Sequence, residues 1–290
     1  MKVDRKNVDY LLGSAAKRLR GEGGDCPSCG GQESDAVSGK FIVTQLRRCA
    51  DCRLLFRSPT TSVAENAEFY QRRYEQGFTT ELPPESELKS LVANRFRNTE
   101  KDYGRFVEIL LALGVRKGAR LLDFGCSWGY GSWQLAQAGY HVESFEVSIP
   151  RGDYARERLG CTVHSDLATV DGAFDVFFSS HVIEHVPSVK AALEFADAHL
   201  HEGGTFLAFT PNGASAHRDR DPKGWQQSWG NVHPNLLDDQ FYAHHFAGRR
   251  LLLGSDPYDL EGIRSWAAGD PRSTTTLDLS GGELMCVMRT

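Results

Sequence analysis

The stretch Leu121-Leu-Asp-Phe-Gly-Cys-Ser-Trp-Gly-Tyr-Gly131 decides the predicted fold. Its first four residues are typical of a buried strand, and the residues after it are typical of a helix. The glycines at 125, 129 and 131 allow the backbone to turn sharply and to approach a ligand closely. A strand, a glycine-rich turn and a helix in this order are typical of a nucleotide-binding α/β unit.

Strand and helix patterns alternate around this turn. The predicted strands cover residues 120–124, 141–147, 161–164, 174–179, 205–210, 250–253 and 284–289. Helices are expected at 106–113 and 236–247, and others should begin near Gly131, Pro150 and Pro187. This alternation predicts an α/β fold with a Rossmann-like, seven-stranded, mostly parallel sheet that has helices on both faces.

Two acidic residues beside the turn indicate which cofactor it would bind. Glu146 follows the second strand, where a carboxylate accepts hydrogen bonds from both hydroxyls of a ribose. Asp123 precedes the first glycine, where its charge would repel a pyrophosphate and attract an ammonium group. The pair therefore favours S-adenosylmethionine over NAD.

Over roughly residues 100–212 the sequence resembles the class I S-adenosylmethionine-dependent methyltransferases. The glycine-rich stretch, Glu146, His164-Ser-Asp-Leu167, Phe174–Val186 and Leu200–Asn212 occur in that family's order. The resemblance implies that the methionine end of the cofactor lies against Asp123, Gly125 and Ser127, with Cys126 and Gly129 in the same turn. It further implies that Glu146 binds the ribose and that Val147 lies against the adenine. By the same resemblance, Asp166 and Leu167 would contact the adenine amino group and ring face. Ser180 would face substrate and cofactor.

The N-terminal cysteines form two pairs, Cys26-x2-Cys29 and Cys49-x2-Cys52, separated by nineteen residues. This spacing is typical of a four-cysteine zinc site, in which two knuckles complete a tetrahedron with Zn–S bonds of ~2.3 Å. Four thiolates leave no open coordination position, so the zinc is expected to be structural. Phe41–Thr44, between the pairs, is predicted to be a strand.

The chain is predicted to have three parts. Residues 1–58 would form an N-terminal helix and a zinc ribbon, and residues 59–104 a linking helical segment and cofactor lid that includes Tyr70, Tyr74 and Phe78. Residues 105–290 would form the methyltransferase domain, with an acceptor-binding insertion at about 211–248.

Histidines are the candidates for the base that a hydroxyl acceptor requires. His181 follows the fourth strand and is the first candidate, with His185 beside it, and His233 in the insertion is the alternative. His181-Val-Ile-Glu-His185 resembles the Glu-x-x-Glu-His of ubiquinone-biosynthesis O-methyltransferases, which can bind a divalent metal. In this chain His181 stands where that motif has its first Glu. Two interpretations of the segment therefore stay open: it binds a catalytic divalent metal, or it only begins a helix.

Charge and hydropathy argue against a nucleic-acid-binding protein, a membrane-spanning protein and a secreted protein. The formal net charge of -5 argues against a protein whose main task is to grip a nucleic-acid backbone. No apolar stretch approaches the ~20 residues of a membrane span, and the N-terminus lacks the apolar core of a secretory signal, which predicts a cytoplasmic protein. No oligomeric state follows from the sequence.

The expected reaction is O-methylation of a small-molecule acceptor, a sugar or a secondary metabolite. The first alternative is a ribosomal RNA base methyltransferase that uses its zinc ribbon to hold RNA. The second alternative is a non-catalytic scaffold that binds the cofactor. The all-cysteine ligand set and the acidic body of the chain favour the small-molecule enzyme.

Overall fold

The computed structural model describes residues 5–62, 65, 81–270 and 273–290. Tyr70, Tyr74 and Phe78, which were expected to form part of a cofactor lid, lie outside this range. Within it, every helix is too short or too polar to cross a bilayer.

The larger of two sheets has eight strands: β4 (Arg120–Phe124), β5 (His141–Phe145), β6 (Thr162–His164), β7 (Phe174–Ser180), β8 (Leu200–Pro211), β10 (Arg250–Ser255), β11 (Thr274–Thr276) and β12 (Glu283–Arg289). Their order across the sheet is β11-β10-β12-β8-β7-β4-β5-β6. All run parallel except β12, which lies antiparallel between β8 and β10. The Rossmann-like prediction is confirmed, with one strand more than the expected seven: the β-branched Thr274–Thr276 add a short edge strand along β10.

Helices cover both faces of this sheet. After the N-terminal part, the described helices of the chain are α2 (Glu85–Ala93), α3 (Gly104–Ala112), α4 (Tyr130–Gln137), α5 (Ile149–Leu159), α6 (Val189–Ala198), α7 (Ser215–Arg220), α8 (Pro222–Gln227), α9 (Asp239–His245) and α10 (Leu260–Ala268). Neighbouring residues of one strand enter different apolar layers, Leu121 with α3 and Leu122 with α6. This follows from strand geometry, in which successive side chains point to opposite faces.

The N-terminal part contains α1 (Arg5–Leu19) and the strands β1 (Ser34–Lys40), β2 (Thr44–Cys49) and β3 (Leu55–Ser58). The predicted strand at Phe41–Thr44 is wrong. Lys40 pairs with Thr44, so the residues between them form the tip of a hairpin. Phe41 and Ile42 have φ of 54° and 67°, the left-handed region used in turns, and Ile42 is 95% exposed because the tip reaches no core.

The ribbon and the insertion share one sheet. The short strand β9 (Asn235–Leu236) pairs antiparallel with β3, giving the order β1-β2-β3-β9. Beneath it lies an apolar cluster of Leu46, Leu55, Trp225, Trp229 and Leu236. Arg48 Nη2 lies 2.5 Å from Asp238 Oδ2, and Asp238 also accepts the Phe241 N–H at the start of α9. The ribbon is therefore packed onto the insertion and braces it.

Candidate functional site

The glycine-rich turn lies at the carboxyl edge of the sheet, where β4, β5, β6, β7 and β8 end. Gly125 and Gly129 have φ of 89° and 86°. A Cβ at Gly125 would lie 2.3 Å from Val182 Cγ2, so a side chain there would clash as well as strain the backbone. Ser127, also at positive φ, has a buried Oγ with no hydrogen-bond partner among the described residues. The turn thus offers a concave backbone and an unsatisfied hydroxyl to a ligand.

Two buried carboxylates support this turn. Glu146 Oε2 accepts the Ser127 N–H at 2.8 Å and Oε1 accepts the Ser148 N–H at 2.7 Å, which links the turn to the start of α5. Asp123 Oδ2 accepts the Ser132 hydroxyl at 2.6 Å. Burial raises the pKa of both acids, that of Asp123 to about 7.

The other predicted cofactor residues lie along the same edge. Cys126 is buried within the turn, and Val147 follows β5 and is half-exposed. Asp166 Oδ1 accepts the Ala168 N–H at 3.0 Å and so caps a 3₁₀ turn, Leu167–Thr169, that follows β6. Ser180 ends β7. The strand order β7-β4-β5-β6 places these residues at neighbouring positions along this edge.

Tyr103 belongs to this site although sequence reasoning did not assign it a role. Its ring covers Gly131 so closely that a Cβ there would lie 2.3 Å from Tyr103 Cε1. Its hydroxyl lies beside Ser180 and Asp123, and burial raises its pKa well above the ordinary value. The only local signal is a tyrosine immediately before the apolar helix α3.

His181 directly follows β7 at φ 55°, and its N–H donates to Phe209 O at 2.8 Å. The imidazole lies between two carboxylates: Nε2 is 2.6 Å from Glu283 Oε2 and Nδ1 is 3.4 Å from Glu184 Oε1. Burial alone would lower the pKa of His181, but the two acids outweigh it and raise the pKa to about 10. While both acids are ionised, these contacts favour the imidazolium form of the ring.

Glu283 is the second residue that sequence reasoning missed. It opens β12 opposite Pro211, at the carboxyl edge, because β12 runs antiparallel to its neighbours. Besides His181, it binds Arg105 Nη2 at 2.9 Å and accepts the hydroxyl of Tyr258. A usable signal was present in the sequence: a single acid precedes a run of five apolar strand residues, 284–288.

The candidate catalytic histidines converge on Glu184. His185 Nε2 lies 3.6 Å from Glu184 Oε1, and the His185 and His233 rings meet edge to face with centroids 4.7 Å apart. Ligand atoms of Glu184, His185 and His233 all lie within 4.8 Å of one another. The backbone beside them is held by Asn235, whose Nδ2 donates to Val186 O at 2.8 Å.

The four ribbon cysteines also converge. Cys26 Sγ lies 3.5 Å from Cys52 Sγ, Cys29 Sγ lies 3.5 Å from Cys49 Sγ, and all four sulfurs are within 4.8 Å of one another. A disulfide would require an S–S distance of ~2.05 Å. Zn–S bonds of ~2.3 Å place the sulfurs of a tetrahedron about 3.8 Å apart, so this cluster fits a zinc ion.

Comparison with known proteins decides the family. The methyltransferase domain family matches residues 94–249, more than half of the chain. The chain belongs to this family. The matched range of the methyltransferase domain holds every predicted cofactor residue and all three candidate histidines, whereas the ribbon cysteines, Tyr258 and Glu283 lie outside it.

Curated relatives match the methyltransferase domain in part. The ubiquinone biosynthesis O-methyltransferase of Paramagnetospirillum magneticum is 35% identical over 117 residues, 38% of this chain and 44% of that protein. The malonyl-[acyl-carrier protein] O-methyltransferase of Serratia marcescens is 31% identical over 144 residues, 48% of this chain and 54% of that protein. The chain thus spans about half the length of these relatives.

Solved structures support the fold of the methyltransferase domain. The plantazolicin methyltransferase BpumL, crystallised with S-adenosylhomocysteine and a pentazolic desmethylPZN analog, superposes with a TM-score of 0.50. The match covers 77% of this chain and 94% of that chain at 11% identity. At that identity the likeness shows the fold alone.

Proposed function

We propose that this protein transfers a methyl group from S-adenosylmethionine to an oxygen atom of a small-molecule acceptor, a sugar or a secondary metabolite. The main support is that two sets of polar residues lie at one edge of the sheet in a methyltransferase domain. The first set is Asp123 and Glu146 beside the glycine-rich turn, and the second is His181 with its carboxylate partner Glu283. Both curated relatives described above are named O-methyltransferases, which supports oxygen as the acceptor atom.

The proposed cofactor contacts use polar groups that are buried at the carboxyl edge of the sheet. Ser127 Oγ would bind the methionine end, and Tyr103 and Ser180 would close that end of the site. Each Glu146 oxygen accepts one backbone N–H and keeps a second lone pair for a ribose hydroxyl. When bound, S-adenosylmethionine supplies an electrophilic methyl on a sulfonium, and the protein's task is to align and deprotonate the acceptor.

Glu146→Ala is expected to weaken binding of S-adenosylhomocysteine by about 1.5–3 kcal/mol, the range for hydrogen bonds to a charged group. Calorimetry on the purified protein measures this, with Glu157→Ala, a change of the same kind on an exposed face of α5, as control. Because Glu146 also holds two loop amides, Glu146→Gln should lose less affinity than the alanine variant. Equal affinities for wild type and Glu146→Ala would remove this residue from the cofactor site.

We assign to His181 the role of the base that takes the proton from the acceptor hydroxyl. Glu283 fixes Nε2 at 2.6 Å, whereas the contact of Nδ1 with Glu184 is long at 3.4 Å, so an acceptor hydroxyl can replace Glu184 there. An imidazolium carries a hydrogen on both ring nitrogens and has no lone pair with which to accept another proton. His181 therefore acts as a base only in a state in which a cation or a proton neutralises one of its carboxylate partners. Arg105 and Tyr258 would then orient Glu283 and stabilise the imidazolium that forms.

The proposed zinc is structural and belongs to the ribbon. All seven cysteines are thiols in the structure, so the protein would keep its zinc ligands in a reducing compartment such as the cytoplasm. Because β3 pairs with β9, the ion would also stabilise the insertion that carries His233.

Labelled methyl transfer tests the proposed function. The full chain is incubated with methyl-labelled S-adenosylmethionine and separate panels of nucleotide sugars, phenols and ribosomal RNA. Label on a hydroxyl of a small molecule supports the proposal. Label on RNA bases alone overturns it in favour of the RNA methyltransferase, and cofactor binding with no labelled product from any panel favours the scaffold.

A further inference from the structure

We propose that Glu184, His185 and His233 form a second metal site, which binds a divalent transition-metal ion beside His181. The ion would be additional to the zinc of the ribbon and would be held by two imidazoles and one carboxylate. The site goes beyond the proposed methyl transfer, because its existence does not depend on which acceptor is methylated.

The first observation is the burial of Glu184. Its side chain has 0% exposure, and neither carboxylate oxygen accepts a hydrogen bond from the described residues. A buried carboxylate without hydrogen bonds is costly unless a cation compensates it. His181 Nδ1 at 3.4 Å approaches one oxygen, but its ring is anchored to Glu283, 102 residues further along the chain. The second oxygen of Glu184 is thus left for another positive charge.

The second observation is the orientation of the two histidines. Nδ1 of His185 lies 2.8 Å from Val232 O, and Nδ1 of His233 lies 3.0 Å from Ser228 O. A carbonyl oxygen only accepts, so each Nδ1 carries the hydrogen, and Nε2 of each neutral ring has the lone pair. Metal-bound histidines are held in this way, with the other ring nitrogen donating to a carbonyl or carboxylate. Both rings therefore have the tautomer that a metal requires.

The third observation is the position of the ligands in the fold. Glu184 and His185 follow β7, whereas His233 comes from the insertion, and one ligand atom from each lies within 4.8 Å of the others. The backbone hydrogen bond from Asn235 N to Glu184 O, 3.2 Å long, ties these two segments together. The set differs from the one that the sequence suggests, because His233 takes the place expected for His181.

The donor set indicates the class of ion. Two imidazoles with one carboxylate suit zinc, iron, manganese, cobalt or nickel, whereas magnesium and calcium prefer oxygen ligands alone. Three protein ligands leave at least one position for water or an acceptor oxygen, as in catalytic zinc sites.

Metal counting tests the proposal. The full chain is saturated with Zn²⁺, passed into metal-free buffer and analysed for zinc. Two ions per chain are expected for the wild type and one for Glu184→Gln and for His233→Ala. Glu194→Gln on α6 and His244→Ala on α9, exposed residues of the same types, should retain two. One ion in the wild type, or two in both site variants, overturns the proposal.

X-ray absorption at the zinc edge of the wild type makes the test independent of how the variants fold. A four-sulfur ion together with an ion bound only by nitrogen and oxygen is expected. A spectrum of four-sulfur zinc alone contradicts the second site. Because neither measurement uses methyl transfer, failure of the proposed O-methylation would leave this result unaffected, and the reverse also holds.

Discussion

Cys49→Ser is expected to abolish zinc binding by the ribbon and to unfold residues 25–58. Structural zinc contributes apparent binding free energies of about 10–16 kcal/mol in zinc-finger peptides, so loss of one thiolate removes a large share of this module's stability. Cys49 is buried, and β2, which it ends, is paired on both sides. Elemental analysis and amide hydrogen exchange measure the two effects.

The faster amide hydrogen exchange in Cys49→Ser should extend beyond the ribbon. β9 pairs with β3, and Arg48 of β2 binds Asp238, so amides of the insertion at 222–245 should also exchange faster in Cys49→Ser. S-adenosylhomocysteine binding should survive, because the glycine-rich turn belongs to the other sheet. The control variant Cys161→Ser makes the same change outside the ribbon and should retain the zinc of the ribbon. An insertion that stays fully protected in zinc-free Cys49→Ser would show that the ribbon does not support it.

His181→Ala is expected to lower turnover by about 10²–10⁴-fold, the usual contribution of a positioned acid–base group. Its imidazole is held at 2.6 Å by Glu283 at the cofactor edge, whereas the cofactor cradle is formed by other residues. Affinity for S-adenosylhomocysteine should therefore change little, and the effect should appear in kcat. Turnover is measured with whichever acceptor the labelling panels identify.

His233→Ala separates the alternatives, with His244→Ala as the exposed control. If His233→Ala removes turnover while His181→Ala does not, the base lies in the insertion. If both variants lose turnover and only His233→Ala loses the second metal, His181 is the base and His233 a ligand. Full activity in both variants would show that neither His181 nor His233 is the base. It would favour an acceptor that needs neither, such as a nitrogen or a more acidic hydroxyl.

The sequence predicted those features whose signals are local. The strand at 120–124 and the glycine-rich turn could be predicted from the sequence. Their signal is local, because apolar residues, an acid and glycines follow one another within eleven positions. The metal-binding role of the cysteine pairs could be predicted because the spacing of the cysteines alone is typical of a zinc knuckle. The predicted helix at 236–247 proved shorter, since Asn235 and Leu236 extend the ribbon sheet and α9 begins only at Asp239.

The missed features depend on contacts between distant segments. Glu283 contacts His181 across 102 residues of sequence, and the pairing of β3 with β9 joins Leu55 to Leu236. Neither contact leaves a periodic pattern, because each depends on how complete elements pack. Phe41 and Ile42 were assigned to a strand because they are apolar and β-prone, but hairpin register decided their conformation instead.

The identity of the cofactor is measured by calorimetry of the purified wild-type chain with S-adenosylhomocysteine and, separately, with NAD. We expect one S-adenosylhomocysteine site per chain and no comparable affinity for NAD, because Asp123 beside Gly125 favours an ammonium group and repels a pyrophosphate. Tight binding of NAD without binding of S-adenosylhomocysteine would show that the chain is not an S-adenosylmethionine-dependent methyltransferase.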